Sequence, residues 1–187
     1  TTAGYNVDFV GTQTGNGVAS LPDSDHEGHG GWTIGQIDAN ILGWFSAIDD
    51  PDVILLHIGT NDFGNTLLNR EGADVGARVL AIIEEFKEQL PNAKILLHTI
   101  LPRGIEESGV DLRKRVIEAN DYIKLNKQSD IEFIDLWAHF VAPDGLSLAD
   151  QFALPDEPVL KLHLNDNGYR EWITVLLPTL QRMVNGK

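Results

Sequence analysis

Three short segments bring together residue types able to do chemistry. Gly59-Thr60-Asn61-Asp62 follows directly on the apolar run DVILLHI, so a side-chain amide projects from what reads as a strand tip. The plainer reading of the same four residues is a turn that caps a helix. His163, in Leu162-His163-Leu164-Asn165-Asp166-Asn167-Gly168-Tyr169, stands just before a helix start. An imidazole there is able to exchange a proton near neutral pH, or is simply a satisfied surface group. The third segment, His26-Glu27-Gly28-His29-Gly30-Gly31-Trp32, is a glycine-rich loop that opens a helix and can aim backbone N–H groups at an anion.

The elements that must position these residues follow from periodicity. Residues 52–58 (DVILLHI), 93–100 (AKILLHTI) and 131–136 (IEFIDL) read as buried strands, and residues 6–11 (NVDFVG) as a weaker fourth. Helical spacing occupies residues 33–48, 71–90, 111–128 and 165–184. In the second of these Val75, Val79, Ile82, Ile83 and Phe86 form one stripe that faces a sheet, and Pro91 ends it. Thr33 and Asn165 are suited to capping the first and last helices. Strands alternating with helices predict right-handed crossovers and a parallel sheet, hence a three-layer α/β/α sandwich in a single domain over residues 1–187. Ligands of such sheets bind beyond the carboxyl ends of the strands, where all three segments fall. Residues 140–162 form a long irregular stretch of the kind that is often functional.

Taken together, the three segments resemble those of the SGNH, or GDSL-type, ester hydrolases. Gly59–Asp62 is similar to that family's third block and His163 with Asn165-Asp166-x-Gly168-Tyr169 to its fifth, while Gly31 falls where its second-block glycine belongs. The longer pattern VDFVGTQTG…DSDHEGHGGWTIGQI most resembles family three of the carbohydrate esterases, which remove acetyl groups from xylan. The resemblance implies the SGNH hydrolase fold with a flavodoxin-like sheet. It also implies an oxyanion hole made by the Gly31 N–H and the Asn61 amide, with His163 as general base. Preorganised donors and a neutral-pH base suit that chemistry. An acetylated carbohydrate is the expected substrate, an extracellular location is implied, and no cofactor is called for. Trp32, beside Gly31, is placed to stack on a sugar, with Asp62 and Arg103 as further substrate-binding candidates. Arg103 would meet a carboxylate, although a solvated Arg fits its position equally.

Two positions depart from the family. No Gly-Asp-Ser, the block that carries its nucleophile, occurs in the chain, and Leu160 stands three residues before His163, where the family places an orienting Asp. Asp156 or Glu157 is able to reach the His163 ring from the long loop instead. Ser24, in Pro22-Asp23-Ser24-Asp25, lies in a loop with no strand directly before it and is a poor nucleophile. The chain opens Thr1-Thr2-Ala3-Gly4, without an initiator Met or a basic, then apolar, leader, and is expected to be N-terminally incomplete. The family's central first strand would then be absent, between residues 6–11 and residues 52–58. Direct pairing of those two segments, a strand donated by a second chain, or a retained N-terminal fragment carrying Gly-Asp-Ser would close the sheet.

Composition narrows the alternatives. With 28 acidic and 14 basic residues the 187-residue chain carries −14 at pH 7, and no Lys/Arg run offsets it, so nucleic acid and anionic membrane are not expected partners. The absence of Cys removes disulfide and thiolate chemistry. Asp23, Asp25, His26, Glu27 and His29 form an acidic, glycine-rich cluster that reads as solvated rather than as a metal site. His57 and His98 lie inside apolar strands and read as buried, hydrogen-bonded imidazoles. A nucleotide-binding reading fails for want of a phosphate fingerprint. The remaining rival is a non-catalytic SGNH-fold protein that binds carbohydrate or a protein partner.

Overall fold

The computed structural model describes residues 7–15, 23–64, 70–106 and 111–185. Residues 7–11 form no strand, contrary to expectation, and Asn6 lies outside the described residues. A short alternating run becomes a strand only when a neighbour offers a ladder, and here the ladder forms just downstream. Strands β1 (Gln13–Thr14) and β2 (Asp25–His26) pair as an antiparallel ribbon. The helical stretch expected at residues 33–48 is divided into α1 (Ile34–Asp38) and α2 (Ile41–Phe45). Asn40 breaks it by turning its side-chain amide back onto the Gln36 carbonyl, 2.8 Å away, the local competition with helix that Asn favours. Thr33 takes the extended N-cap conformation before α1, as expected.

Next come β3 (Val53–Leu56), α3 (Thr60–Gly64), α4 (Gly72–Gln89), β4 (Lys94–His98), α5 (Arg113–Asn126), β5 (Glu132–Ile134), α6 (Trp137–Phe140) and α7 (Asp166–Asn185). The three longer strands make a parallel sheet in the order β3-β4-β5. Side chains alternate across it. Ile54, Leu56, Ile95, Leu97 and Phe133 pack with α1, α4 and α5, whereas Val53, Leu96 and Ile134 pack with α6 and α7. The sheet is therefore covered on both faces, which is the three-layer sandwich. Asn165 caps α7 as expected, its Oδ1 accepting the Gly168 N–H at 3.0 Å.

The outer edge of β3 is different. Among the described residues no strand pairs with it, so direct pairing with residues 7–11 does not occur. Leu55 on β3 remains 45% exposed, and Ile173 and Leu177 on α7 are also exposed. None of the described helices is long and apolar enough to cross a membrane.

Candidate active site

The tip of β3 carries the first part of the site. The chain turns at Gly59, where φ is +106° and a Cβ would stand 2.8 Å from Ile100 Cδ1, so only glycine fits. The turn leads directly into α3, whose Asn61 and Asp62 side chains reach the segment that follows Gly31. Asn61 donates an amide N–H to the Trp32 carbonyl at 3.0 Å, which uses one of its two donors. Asp62 accepts the Ile34 N–H at 2.8 Å and is 1% exposed. Two adjacent side chains from one strand tip thus fasten the start of α1 and hold the Gly30-Gly31-Trp32 turn against it. Gly31 has φ +80°, with open space where a side chain would stand.

Asp62 is consequently a buried support rather than a substrate contact, which corrects its expected role. Burial raises its carboxyl pKa, while the Ile34 N–H and the Arg78 and Arg70 guanidinium groups pull in the other direction. Arg103 is also reassigned. Its side chain is buried and its guanidinium is taken by Glu106, so it is not presented to a substrate carboxylate. Trp32 is half-buried, with its ring stacked on His29 at 4.1 Å, and Trp44 completes the cluster at 4.8 Å from His29.

His163 stands at the same carboxyl edge, because its loop is bonded to the segment that leaves β4. The Gly104 N–H donates to the Leu160 carbonyl at 2.7 Å and the Ile105 N–H to that of Val159 at 3.0 Å. The imidazole is 63% exposed, and its Nδ1 contacts Glu157 Oε1. Glu157 Oε2 accepts the backbone N–H groups of Leu162 and His163 at 2.9 and 3.0 Å. Burial alone would raise the Glu157 carboxyl pKa; the bonds from the His163 ring and from these two N–H groups outweigh it and hold the group ionised below its usual range. Of the two candidate acids Glu157 makes the contact, while Asp156 lines the same open cleft of about 370 Å³ with Pro158, Val159 and Leu160.

The other candidates serve the structure. His57 and His98 are both held neutral: burial lowers each ring, His98 adds to the effect on His57, and the Leu56 carbonyl opposes it for His98. His98 Nδ1 lies 3.2 Å from that carbonyl, as expected for a buried imidazole, but His57 Nε2 has no hydrogen-bond partner among the described residues. Both rings pack on Trp172. Ser24 Oγ accepts the Gly15 N–H at 3.2 Å beside the β1–β2 ribbon. In the acidic loop, Asp23 accepts the Phe9 N–H and Glu27 pairs with His29 at 2.6 Å.

Sequence reasoning overlooked Asn120. From α5 it clasps Ile100 just after β4, accepting its N–H at 2.8 Å and donating to its carbonyl at 2.9 Å. A buried Asn on the apolar face of an amphipathic helix was the available signal.

The model of the GDSL-like lipase/acylhydrolase family matches residues 1–171. Platelet-activating factor acetylhydrolase IB subunit alpha2 of Gallus gallus is 33% identical over 122 residues, 64% of this chain and 47% of that protein. A multidomain esterase of Ruminococcus flavefaciens is 29% identical over 194 aligned positions, 90% of this chain and 23% of that protein. The chain thus spans about half the length of the first and about a quarter of the second. Among solved structures, the Clostridium thermocellum family 3 carbohydrate esterase is 28% identical with a TM-score of 0.68, over 97% of this chain and 83% of that one. A family 3 carbohydrate esterase from Talaromyces cellulolyticus superposes with a TM-score of 0.71 at 21% identity, over 96% and 83%, and supports the fold.

Proposed function

Because this chain belongs to the GDSL-like lipase/acylhydrolase family, we propose that it forms the body of a carbohydrate O-acetyl esterase. The observation that carries the reading is the fastening of the Gly31 turn to the tip of β3 by Asn61 and Asp62. It fixes a backbone N–H and a side-chain amide relative to each other before substrate arrives, which is what oxyanion stabilisation requires. In the reaction a hydroxyl oxygen attacks the acetyl carbonyl carbon and passes its proton to His163. The carbonyl oxygen, now negative, is held by the Gly31 N–H and the Asn61 amide. His163 then returns the proton to the sugar oxygen as the carbon–oxygen bond breaks, and water releases acetate by the same steps in reverse order.

The hydroxyl is that of a Ser in a Gly-Asp-Ser strand seated against the outer edge of β3, supplied by an N-terminal fragment or a second chain. That no strand among the described residues pairs with this edge, and that Leu55 on β3 is exposed, support this. Acetylated carbohydrate is the substrate because the family 3 esterases are similar over nearly the whole chain and Trp32, half-buried, directly follows Gly31. The protein acts outside the cell, where acetylated polysaccharide is met. A purely binding role rests on Leu160 in place of an orienting acid, and the Glu157 contact weighs against it.

Substrate choice is tested without turnover. Calorimetry should show acetylated xylo-oligosaccharide binding more tightly than its deacetylated form, with Trp32→Ala weakening it about 2- to 10-fold, the value of one aromatic contact. Equal binding of the two sugars, or no effect of the substitution, would count against the carbohydrate reading.

A further inference from the structure

We infer that Glu157 is the positioning residue that orients the His163 imidazole, replacing an acid at the position occupied by Leu160; this rests on His163 being the base of the proposed esterase. The local backbone explains why the acid comes from six residues away. The Leu160 carbonyl is bound to the Gly104 N–H and that of Val159 to the Ile105 N–H, which commits this part of the loop to anchoring. Lys161 then turns sharply, in a left-handed conformation with φ +43°, and its N–H closes onto the Glu157 carbonyl at 3.0 Å. The turn brings Leu162 and His163 back over the Glu157 carboxylate.

One carboxylate thereby does two jobs. Oε2 chelates the successive N–H groups of Leu162 and His163, fixing the backbone from which the ring projects, and Oε1 contacts ring Nδ1. On the other side the His163 carbonyl accepts the Leu154 N–H at 3.0 Å, so the residue is held from both ends of its peptide. An ionised acceptor at Nδ1 selects the tautomer with the proton on Nδ1. Nε2 is left bare to take the proton of the attacking hydroxyl, and the imidazolium that forms sits against a negative charge. At 19% exposure the Glu157 side chain is shielded enough to hold this geometry, whereas the ring remains open to a substrate.

The test is nitrogen-15 NMR of the His163 ring at about pH 8.5, where an ordinary imidazole is neutral. In the unsubstituted chain the Nδ1–H tautomer should dominate. Glu157→Gln should lose that preference with the amide spectrum otherwise preserved, Glu157→Asp should retain part of it, and Asp156→Asn should leave it in place. When the chain is assembled with a nucleophile, Glu157→Gln should lower kcat by about 10²-fold or more with little change in KM. A dominant Nε2–H tautomer in the unsubstituted chain overturns the inference even if the variants fail to fold, as does a tautomer that responds to Asp156→Asn but not to Glu157→Gln. Because the ring is read directly, this result stands apart from whether the esterase reading itself succeeds.

Discussion

Asp62 shows how one buried carboxylate can be mistaken for a ligand. In sequence it follows Asn61 on a strand tip, where polar residues meet substrates, and its neighbour in the chain is a candidate for that role. Only the tertiary structure reveals that the Ile34 N–H, 28 residues earlier, claims it. Asp62→Ala should destabilise the protein by about 1–3 kcal/mol, because it leaves that buried donor without an acceptor. The carboxyl also has a pH signature. Its folded pKa is raised, so the folded state holds this proton more tightly than the unfolded chain does. The contribution is least unfavourable below the unfolded value of about 3.9 and becomes worse as pH rises through the folded value. Asp62→Asn keeps an acceptor for Ile34 but cannot ionise. Its melting temperature relative to the unsubstituted protein should therefore improve as pH increases from 3 to 7; a constant difference would show that burial does not govern this group.

At the scale of elements, what the sequence made legible was what is set locally. The runs that became β3, β4 and β5 were visible, as was the stripe on α4, since Val75, Val79, Ile82, Ile83 and Phe86 are all buried where the period placed them. Residues 7–11 misled because alternation describes a strand's faces but not its partner. Glu157 was one of two acids on a flexible-looking loop, and the choice between them depended on pairing with residues 104 and 105, which no local pattern encodes. A chain of contacts runs from the core to the site: Asn120 holds Ile100, the following segment binds Val159 and Leu160, and their loop places Glu157 under His163. Gly104 is the tightest point in this chain, since a Cβ there would lie 1.8 Å from the Val159 carbonyl oxygen. Gly104→Ala should push the 156–163 loop away and abolish the His163 tautomer preference, while leaving the Asn61 contact to Trp32 intact. Unchanged ring signals of His163 would mean that the loop does not depend on this anchor.

For the whole molecule the decisive feature is the edge of β3 that no strand among the described residues pairs with. An edge that no described strand pairs with, carrying the 45% exposed Leu55, presents backbone groups to which another strand can add. The proposed site is assembled on that edge: Asn61 rises from its tip, and the Gly31 turn is fastened to Asn61. The most direct measurement is the rate of 4-nitrophenyl acetate hydrolysis by the chain with and without an apolar strand peptide that ends in Gly-Asp-Ser. Alone, the chain should remain near a floor of about 10³- to 10⁴-fold above water and respond little to His163→Ala. With the peptide bound, turnover should rise and saturate, be lost in His163→Ala, and fall about 10²- to 10³-fold in Asn61→Ala. Efficient turnover by the chain alone that Ser24→Ala abolishes, or a peptide that binds and raises the melting temperature without restoring hydrolysis, would contradict the assignment of this site.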